Sequence, residues 1–402
     1  MKLLFITDNF PPEVNAPASR TFEHCKEWAK SGLDVTVITC FPNFPFGKVY
    51  KGYKNVIIKR EEMEGIKVIR VWSFMAPNKG FIIRTLDFIS FSISAFLCGL
   101  TIKTDLIVAT SPQFFTAIAG RKLGFFKKAP WVMEVRDLWP EQVLASTNVK
   151  RNFLIRYFEW QEKRCYKAAS LIVTVTNSFV DKIRARGITE NKFIVVRNGV
   201  DRKAFFGRDK NHELLSKLHL EGKFVVGYIG THGVSQNLSF IIDSIREIND
   251  PSVTFLFLGE GAEKTKVEKL AKKLGVMNIL FLPQVSKERV IDYLSLVDVS
   301  LVPLRKSELY KSVIPSKIFE NAGMKIPILL GVDGEARQLV EKYGSGIYYD
   351  PDNKQSFLKA FEEIRKPSIY AELQKGCEVM AKDFDRQKLA RYMQDSLTKV
   401  IK

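Results

Sequence analysis

The sequence predicts an α/β protein of two doubly wound, Rossmann-like domains, and three observations predict it. Short strands rich in Val, Ile and Leu alternate with helical patterns along the chain, and strands apolar on both faces belong in a parallel sheet covered on either side by helices. The alternation stops at the turn-forming stretch Arg197-Asn198-Gly199-Val200-Asp201 and then restarts. Finally, 402 residues with 46% apolar content suffice for two or three domains with real cores. The expected domains are 1–200 and 201–380, with the boundary near 198–208 and a last helix, 381–402, folding back onto the first domain.

The first half reads as strand KLLFIT, a helix from Ser19 to Lys30, strands DVTVITC and IKVIRVW, an apolar helix over 81–100, strand DLIVAT, and a helix from Pro112. Strand WVMEV, a helix through Arg151 to Ala168, and strands SLIVTVT and KFIVV complete it. The second half reads as strands KFVVGYIG, VTFLFLG, NILFLP, DVSLVPL, IPILLG and GIYYD with helical segments between. No fixed-period repeat or low-complexity linker interrupts either half.

Composition narrows the function classes. The five cysteines, Cys25, Cys40, Cys98, Cys165 and Cys377, are scattered, odd in number and without a Cys-x-x-Cys pair, which points to a reducing compartment and away from structural zinc. The apolar run in MKLLFITDNFPPE is too short for a signal peptide and reads as a buried first strand, so the expected location is the cytoplasm. A formal charge of +18 attracts nucleic acid, anionic lipid or an anionic small substrate without choosing among them. Much of it lies in 121–128 and, from Lys150, in 150–167, where Arg and Lys stand beside Phe125, Phe126, Phe153, Tyr157, Phe158 and Trp160. Such interleaving suits an anionic membrane surface or a single nucleic-acid strand; a solvated helix face with its aromatics turned into the core has the same periodicity. No helix-turn-helix, zinc or RNA-binding signature accompanies the charge, so nucleic acid is not an expected partner. Residues 81–100, FIIRTLDFISFSISAFLCGL, are the most apolar segment, with 13 uncharged residues after Asp87, fewer than the roughly 20 that span a bilayer. The segment reads as a buried or membrane-surface helix, with Lys79 and Arg84 suited to a phosphate headgroup layer.

Ligands of open α/β sheets sit beyond the carboxyl ends of the strands. Those loops are 8–16 (DNFPPEVNA), Thr110-Ser111-Pro112-Gln113 and 136–141 (RDLWPE) in the first half, and Gly230-Thr231-His232-Gly233, Gly259-Glu260-Gly261, Leu282-Pro283-Gln284-Val285 and 300–331 in the second. In the last of these an apolar strand runs into a basic loop and opens a helix at Pro315-Ser316-Lys317. A first helical turn has unpaired N–H groups and the positive end of the macrodipole, and Pro fits its first position. Phosphate needs donors and positive charge, which Arg305, Lys311, Ser316 and Lys317 supply; a ribose needs an acceptor for its paired hydroxyls, which Glu320 supplies. An ordinary strand-loop-helix with solvated Lys and Glu has the same pattern. In the first half, Asp137 is the first choice for an acceptor-side base or orienting group and Glu13 the second, with Arg136 beside Asp137 placed for an acceptor phosphate. A helix cap or salt bridge is the structural alternative for Asp137. His232 alone of the four histidines lies on a ligand-side loop; His24, His212 and His219 read as structural.

Taken in order, TDNFPPEVNAPASRTFEH, EVRDLWPE, NGVD, FLGEGAEK, LVPLR and IPSKIFEN resemble the landmarks of the family-4 glycosyltransferases of GT-B fold. The resemblance is closer to the bacterial enzymes that build O-antigen, capsule and exopolysaccharide, N-acetylfucosaminyltransferase-like members included, and covers nearly the whole chain. It implies two Rossmann-like domains facing across a cleft, a nucleotide-sugar donor held by the second and a sugar acceptor held by the first; the donor is expected to be UDP-linked, and an acceptor on polyprenyl diphosphate accounts for the basic aromatic stretches and the apolar helix together. It further implies retention of anomeric configuration. Carried over, Glu320 would bind the ribose hydroxyls, while Arg305, Ser316 and Lys317, with Pro315 opening the helix, would hold the diphosphate. Gly230, Thr231 and His232 would approach the phosphates, and Gln284 and Val285 would meet the base beside Gly259 and Glu260. The expected acceptor-side residues are Glu13, Asn15, Ser111, Arg136 and Asp137.

Two departures from the family pattern stand out. Its larger branch has Glu, seven residues, then Glu; here Ser312 occupies the place eight before Glu320, and whether Glu308 substitutes is open. The familiar Arg and Lys after the first strand of the second domain are replaced by a loop with Thr231, His232 and Gln236. The leaving-group charge then falls to Arg305 and Lys317 as catalytic groups, fixed donors of this kind being worth about 3 to 4 kcal/mol each. No metal or other cofactor is expected, since neither Asp350-Pro-Asp352 nor Asp383-Phe-Asp385 has further carboxylates to complete an oxygen-rich site. The expected protein is thus a metal-independent, retaining glycosyltransferase of bacterial surface polysaccharide synthesis, cytoplasmic and peripherally bound to the inner face of the membrane. The alternatives are a UDP-sugar 2-epimerase of the same architecture, which needs several acid/base groups where only His232 offers itself, and a basic nucleic-acid-binding protein.

Overall fold

A computed structural model of the chain describes residues 1–44, 47–75, 81–111, 114–141 and 151–401. Lys79, Pro112, Gln113 and Lys150, invoked above, lie outside the described residues. The chain divides into two compact units, Met1–Arg197 with Arg386–Lys402, and Asn198–Asp385.

In chain order the first unit holds β1 (Lys2–Ile6), α1 (Ala16–Lys30), β2 (Asp34–Cys40), β3 (Ile58–Met63), β4 (Ile66–Val71), α2 (Phe81–Leu100), β5 (Leu106–Thr110), α3 (Phe114–Lys127), β6 (Trp131–Val135), α4 (Phe153–Ala168), β7 (Leu171–Thr174), α5 (Asn177–Ala185) and β8 (Phe193–Val195). The second holds α6 (His212–Lys217), β9 (Phe224–Ile229), α7 (Leu238–Ile245), β10 (Val253–Leu258), α8 (Lys264–Lys273), β11 (Ile279–Leu282), α9 (Lys287–Leu294), β12 (Val299–Pro303), α10 (Lys317–Gly323), β13 (Ile328–Gly331), α11 (Glu335–Tyr343), β14 (Gly346–Tyr348), α12 (Lys354–Ile364) and α13 (Pro367–Asp383). A last helix, α14 (Arg386–Ile401), belongs to the first unit.

The first sheet runs β3-β4-β2-β1-β5-β6-β7-β8, parallel except for the antiparallel β3–β4 pair, and the second runs β11-β10-β9-β12-β13-β14, parallel throughout. These are the two doubly wound α/β units that the alternating strands predict. Strand order reverses beside β1 and β5 and beside β9 and β12, so the crevices at the carboxyl ends of those strands are where such sheets take ligands. β3 is absent from the expected strands because its sequence, IKREEM, is charged and largely exposed, the composition of an edge strand that resists further pairing.

Helix α1 begins at Ala16, ahead of the expected Ser19, because Asn15 Oδ1 accepts the Ala18 N–H at 2.9 Å and Pro17 sits in the first turn. The C-terminal helix is shorter than expected: α13 continues to Asp383, and only from Arg386 does the chain lie on the first unit. There Trp28 Nε1 donates to the Ala390 carbonyl at 2.8 Å, and Met393 and Leu397 enter the same core as Cys25 and Trp28.

Candidate functional site

In the second unit the carboxyl ends of β9, β10 and β12 bring most of the expected donor-side residues together. The loop after β9 and the loop after β10 meet backbone to backbone. Gly259, at φ +149°, stands so close that a Cβ there would lie 1.9 Å from the Gly230 carbonyl oxygen, and His232 N–H donates to the Glu260 carbonyl at 2.9 Å. Only residues without side chains allow this approach. Lys264, which the sequence does not single out, clasps the neighbouring loop: its Nζ donates to the carbonyls of Gly259 (2.9 Å) and Leu282 (3.2 Å) and to Glu260 Oε1 (2.6 Å). The Lys264 ammonium holds the Glu260 carboxyl below its ordinary range. Gln284 is exposed and Val285 half-buried just beyond Leu282.

Lys317 faces this loop pair from α10. Its Nζ lies 4.2 Å from the centre of the Tyr228 ring and against Gly230, where a Cβ would stand 2.8 Å from it. Burial lowers the Lys317 ammonium to about 8, the nearby Glu320 carboxylate opposing the shift. Among the described residues no carboxylate lies within ion-pair distance of Lys317. The Tyr228 hydroxyl donates to the Thr231 carbonyl at 2.5 Å, so this buried residue supports both the loop and the lysine. No spacing or motif distinguishes Tyr228 from other strand aromatics, which is why sequence reasoning passed over it.

The basic loop differs in detail from expectation. Pro315 lies ahead of α10 instead of at its first position, and the N–H groups of Ile318 and Phe319 bond back to the carbonyls of Pro315 and Ser316, both at 3.1 Å, so two first-turn donors are engaged within the chain. Arg305 is exposed, its backbone N–H fixed on the Ser235 carbonyl at 2.8 Å, whereas Lys311 pairs with Glu308 at 2.7 Å. Ser312 is buried and its Oγ donates to the Leu309 carbonyl, so it packs its own turn. His232 also departs from its expected place: its imidazole is fully buried between the Tyr228 and Phe257 rings, and burial, reinforced by Lys264 and Lys317, lowers it to about 4. His232 therefore contributes backbone, not an ionisable side chain, at neutral pH. The two Asp-x-Asp triplets are engaged: Asp350 with Lys306 (3.1 Å), Asp352 with Asn237 and the Lys306 N–H, Asp383 with the Tyr343 hydroxyl (2.8 Å), Asp385 with Arg202 (3.8 Å).

In the first unit the expected residues form two groups. Ser111 Oγ accepts the N–H groups of Arg136 (2.9 Å) and Asp137 (3.4 Å), tying the loop after β6 to that after β5. The Arg136 guanidinium donates to the Pro17 carbonyl at 3.3 Å, and burial lowers it from its ordinary value. The second group surrounds the end of β1. Asn15, besides capping α1, donates to Asn9 Oδ1 (2.6 Å), and Asn9 donates to Asp8, whose carboxyl burial raises to about 6. Glu13 is buried, with Oε1 accepting the N–H groups of Asn43 (2.8 Å) and Phe44 (2.9 Å), and burial raises it to about 7. Arg20, fully buried, pairs with Glu134 at 3.1 Å and donates to the Val196 and Arg197 carbonyls. Neither Arg20 nor Glu134 is flagged by the sequence, because a lone charge within an apolar pattern shows its partner only in the fold.

The raised carboxyls have a pH consequence. Between pH 4.5 and about 7 the folded chain keeps a proton on Glu13 that the unfolded chain has released, so stability falls as pH rises through that window. Glu13→Gln is expected to stabilise the protein at pH 8 by on the order of 2 kcal/mol and to change little at pH 4.5; melting temperatures at both pH values check it.

Comparison with known proteins follows the two-unit division. Residues 15–199 match the glycosyl transferase 4-like domain and residues 210–378 the glycosyl transferases group 1 domain. The glycosyl transferase WcaI of Escherichia coli, named for colanic acid biosynthesis, is 26% identical over 352 residues, 85% of this chain and 84% of that one. TuaH of Bacillus subtilis, named for teichuronic acid biosynthesis, is 24% identical over 237 residues, 58% of each chain. Among solved structures, the sucrose-phosphate synthase of Thermosynechococcus elongatus superposes with a TM-score of 0.81 at 15% identity, covering 100% of this chain and 99% of that one. Anabaena HepE in complex with UDP and glucose superposes with a TM-score of 0.73 at 16% identity, covering 99% and 100%.

Proposed function

We propose that this chain, a glycosyltransferase of the GT-B fold working in bacterial polysaccharide biosynthesis, moves a sugar from a UDP-sugar to a polyprenyl-diphosphate-linked saccharide, without a metal and with retention of configuration. The observation that carries the donor side is Lys317: a half-buried ammonium, unpaired among the described residues, held against a glycine loop and an aromatic ring at the carboxyl end of β9. A desolvated cation of this kind gains most when a diphosphate arrives, and it gains again as negative charge builds on the departing phosphate oxygen. Arg305 would share that charge, the backbone of Gly230 and Thr231 would line the phosphates, and Glu320 would accept the ribose hydroxyls. Gln284 and Val285 would meet the base, over loops that Lys264 clasps. In the first unit Asp137, with Arg136 and Ser111 beside it, would orient the acceptor hydroxyl. The lipid carrier of the acceptor would place the enzyme peripherally on the cytoplasmic face of the membrane.

Offering the purified protein UDP-, GDP- and ADP-sugars with a lipid-linked sugar acceptor should give acceptor-dependent nucleotide release with UDP-sugars and no added divalent ion. Release only with an added metal, or conversion of the UDP-sugar without an acceptor, would contradict the reading, the latter in favour of an epimerase. Glu320→Ala is expected to lower kcat/KM about 10- to 100-fold through lost hydrogen bonds to the donor. Near-normal turnover would remove Glu320 from the site.

A further inference from the structure

We propose that the outward faces of α2, α3 and α4 form one docking surface for an anionic lipid bilayer. The inference deepens the membrane-side part of the preceding reading, although its geometry is independent of the donor site. The inward residues of the three helices, among them Phe91, Phe115, Leu123 and Phe158, share one core on a single face of the first sheet. Polar and aromatic contacts tie the helices to each other: Ser92 Oγ donates to the Phe115 carbonyl (2.8 Å), Lys127 Nζ to the Leu100 carbonyl (3.0 Å), Arg121 to Gln161 (3.2 Å), and the Phe96 and Phe126 rings are 5.7 Å apart. Gly99 allows the closest approach, since a Cβ there would stand 2.6 Å from Leu123. The stretches that are separate in sequence are therefore one layer.

The outside of that layer is apolar as well. On α2, Ile83, Leu86, Ile93, Leu97 and Leu100 recur at helical spacing opposite the buried stripe, and all are exposed. Phe125 on α3 is 79% exposed and Phe153 at the start of α4 is 85% exposed, with Trp160 exposed two turns further along the same face of α4. A helix apolar on both faces is unfavourable in water, and contiguous exposed apolar surface marks a docking site. The 18 residues Ile83–Leu100 are long and apolar enough, by length and composition, to cross a membrane. Yet Phe91, Ala95 and Cys98 of the same helix fill the sheet's core, so the helix meets a membrane with its outer face alone.

Charge selects the occupant. Lys122, Lys128, Arg156 and Lys163 are exposed among these aromatics, while Glu159 is already paired with Arg151 at 2.7 Å. Two copies meeting on this face would bring like charges together, whereas anionic headgroups complement it, with Phe and Trp at interfacial depth.

The test is cosedimentation of the full chain with vesicles of phosphatidylcholine containing about one third phosphatidylglycerol, against phosphatidylcholine alone. Wild type is expected to bind the anionic vesicles at low salt and to retain part of that binding at high salt. Phe125→Ser with Phe153→Ser should lower partition about tenfold or more at both salt concentrations. Lys122→Glu with Lys128→Glu and Lys163→Glu should reduce low-salt binding to the wild-type high-salt level. UDP affinity should be equal in all three proteins, so a failed donor assignment would register separately from a failed docking surface. Wild type left in the supernatant with anionic vesicles at low salt would overturn the proposal. So would undiminished binding in both variants, or self-association abolished by the Phe substitutions without vesicle binding, which would assign the face to a second copy.

Discussion

Lys317→Ala is expected to lower kcat by about 10²- to 10³-fold while leaving the melting temperature unchanged or slightly raised. The first effect follows from removing a fixed cation aimed at the leaving phosphate; the second follows because the folded chain already bears the cost of desolvating that ammonium. The same lysine sets a pH dependence. Its ammonium is lowered to about 8, so it is charged at neutral pH and loses its proton as pH rises through 8. A diphosphate binds the charged form better, so the Kd for UDP should be flat between about pH 7 and 8, where the terminal phosphate of UDP is already ionised, and rise above it. Lys317→Arg, which stays charged at every relevant pH, should flatten that rise even if affinity drops. Kinetics and UDP titrations across pH 6 to 9.5 distinguish these outcomes; an unshifted Kd at pH 9.5 would separate Lys317 from the phosphates.

Gly259→Ala is expected to cost at least about 3 kcal/mol and to abolish UDP binding. The residue combines a φ of +149° with a Cβ position 1.9 Å from the Gly230 carbonyl oxygen, so the two loops must separate to admit a methyl group. Gly275→Ala is the control: its φ of +68° is also left-handed, but nothing lies within 4 Å of the new Cβ. That change should cost about 1 kcal/mol and leave UDP affinity intact. Equal losses of stability in the two variants would mean that the contact between the loops after β9 and β10 does not hold the site.

How much of this was legible in the sequence differs between backbone and side chains. The parallel strands could be read because KLLFIT, DVTVITC and VTFLFLG are apolar on both faces, a pattern with few other uses. The edge strand β3 could not, since IKREEM carries the charges of a surface segment. The ligand-side loops were readable from glycine clusters after strands, and Gly230 and Gly259 do lie where backbone approaches backbone. Side-chain direction was not: His232 shares its loop with Thr231, yet one ring is buried between aromatics and the other residue is exposed. Ser312 likewise turns inward onto Leu309. Lys264 illustrates a third limit, because its partners Gly259 and Leu282 come from two different loops, and only the fold makes one amine serve both.

The most direct measurement is a crystal structure of the chain with UDP. Diphosphate density is expected within hydrogen-bond distance of Lys317 Nζ and the Gly230 to Gly233 backbone, with the ribose on Glu320 and no metal bridging the phosphates. Nucleotide density at any other strand end, or a diphosphate coordinated by a divalent ion with Lys317 out of reach, would contradict it.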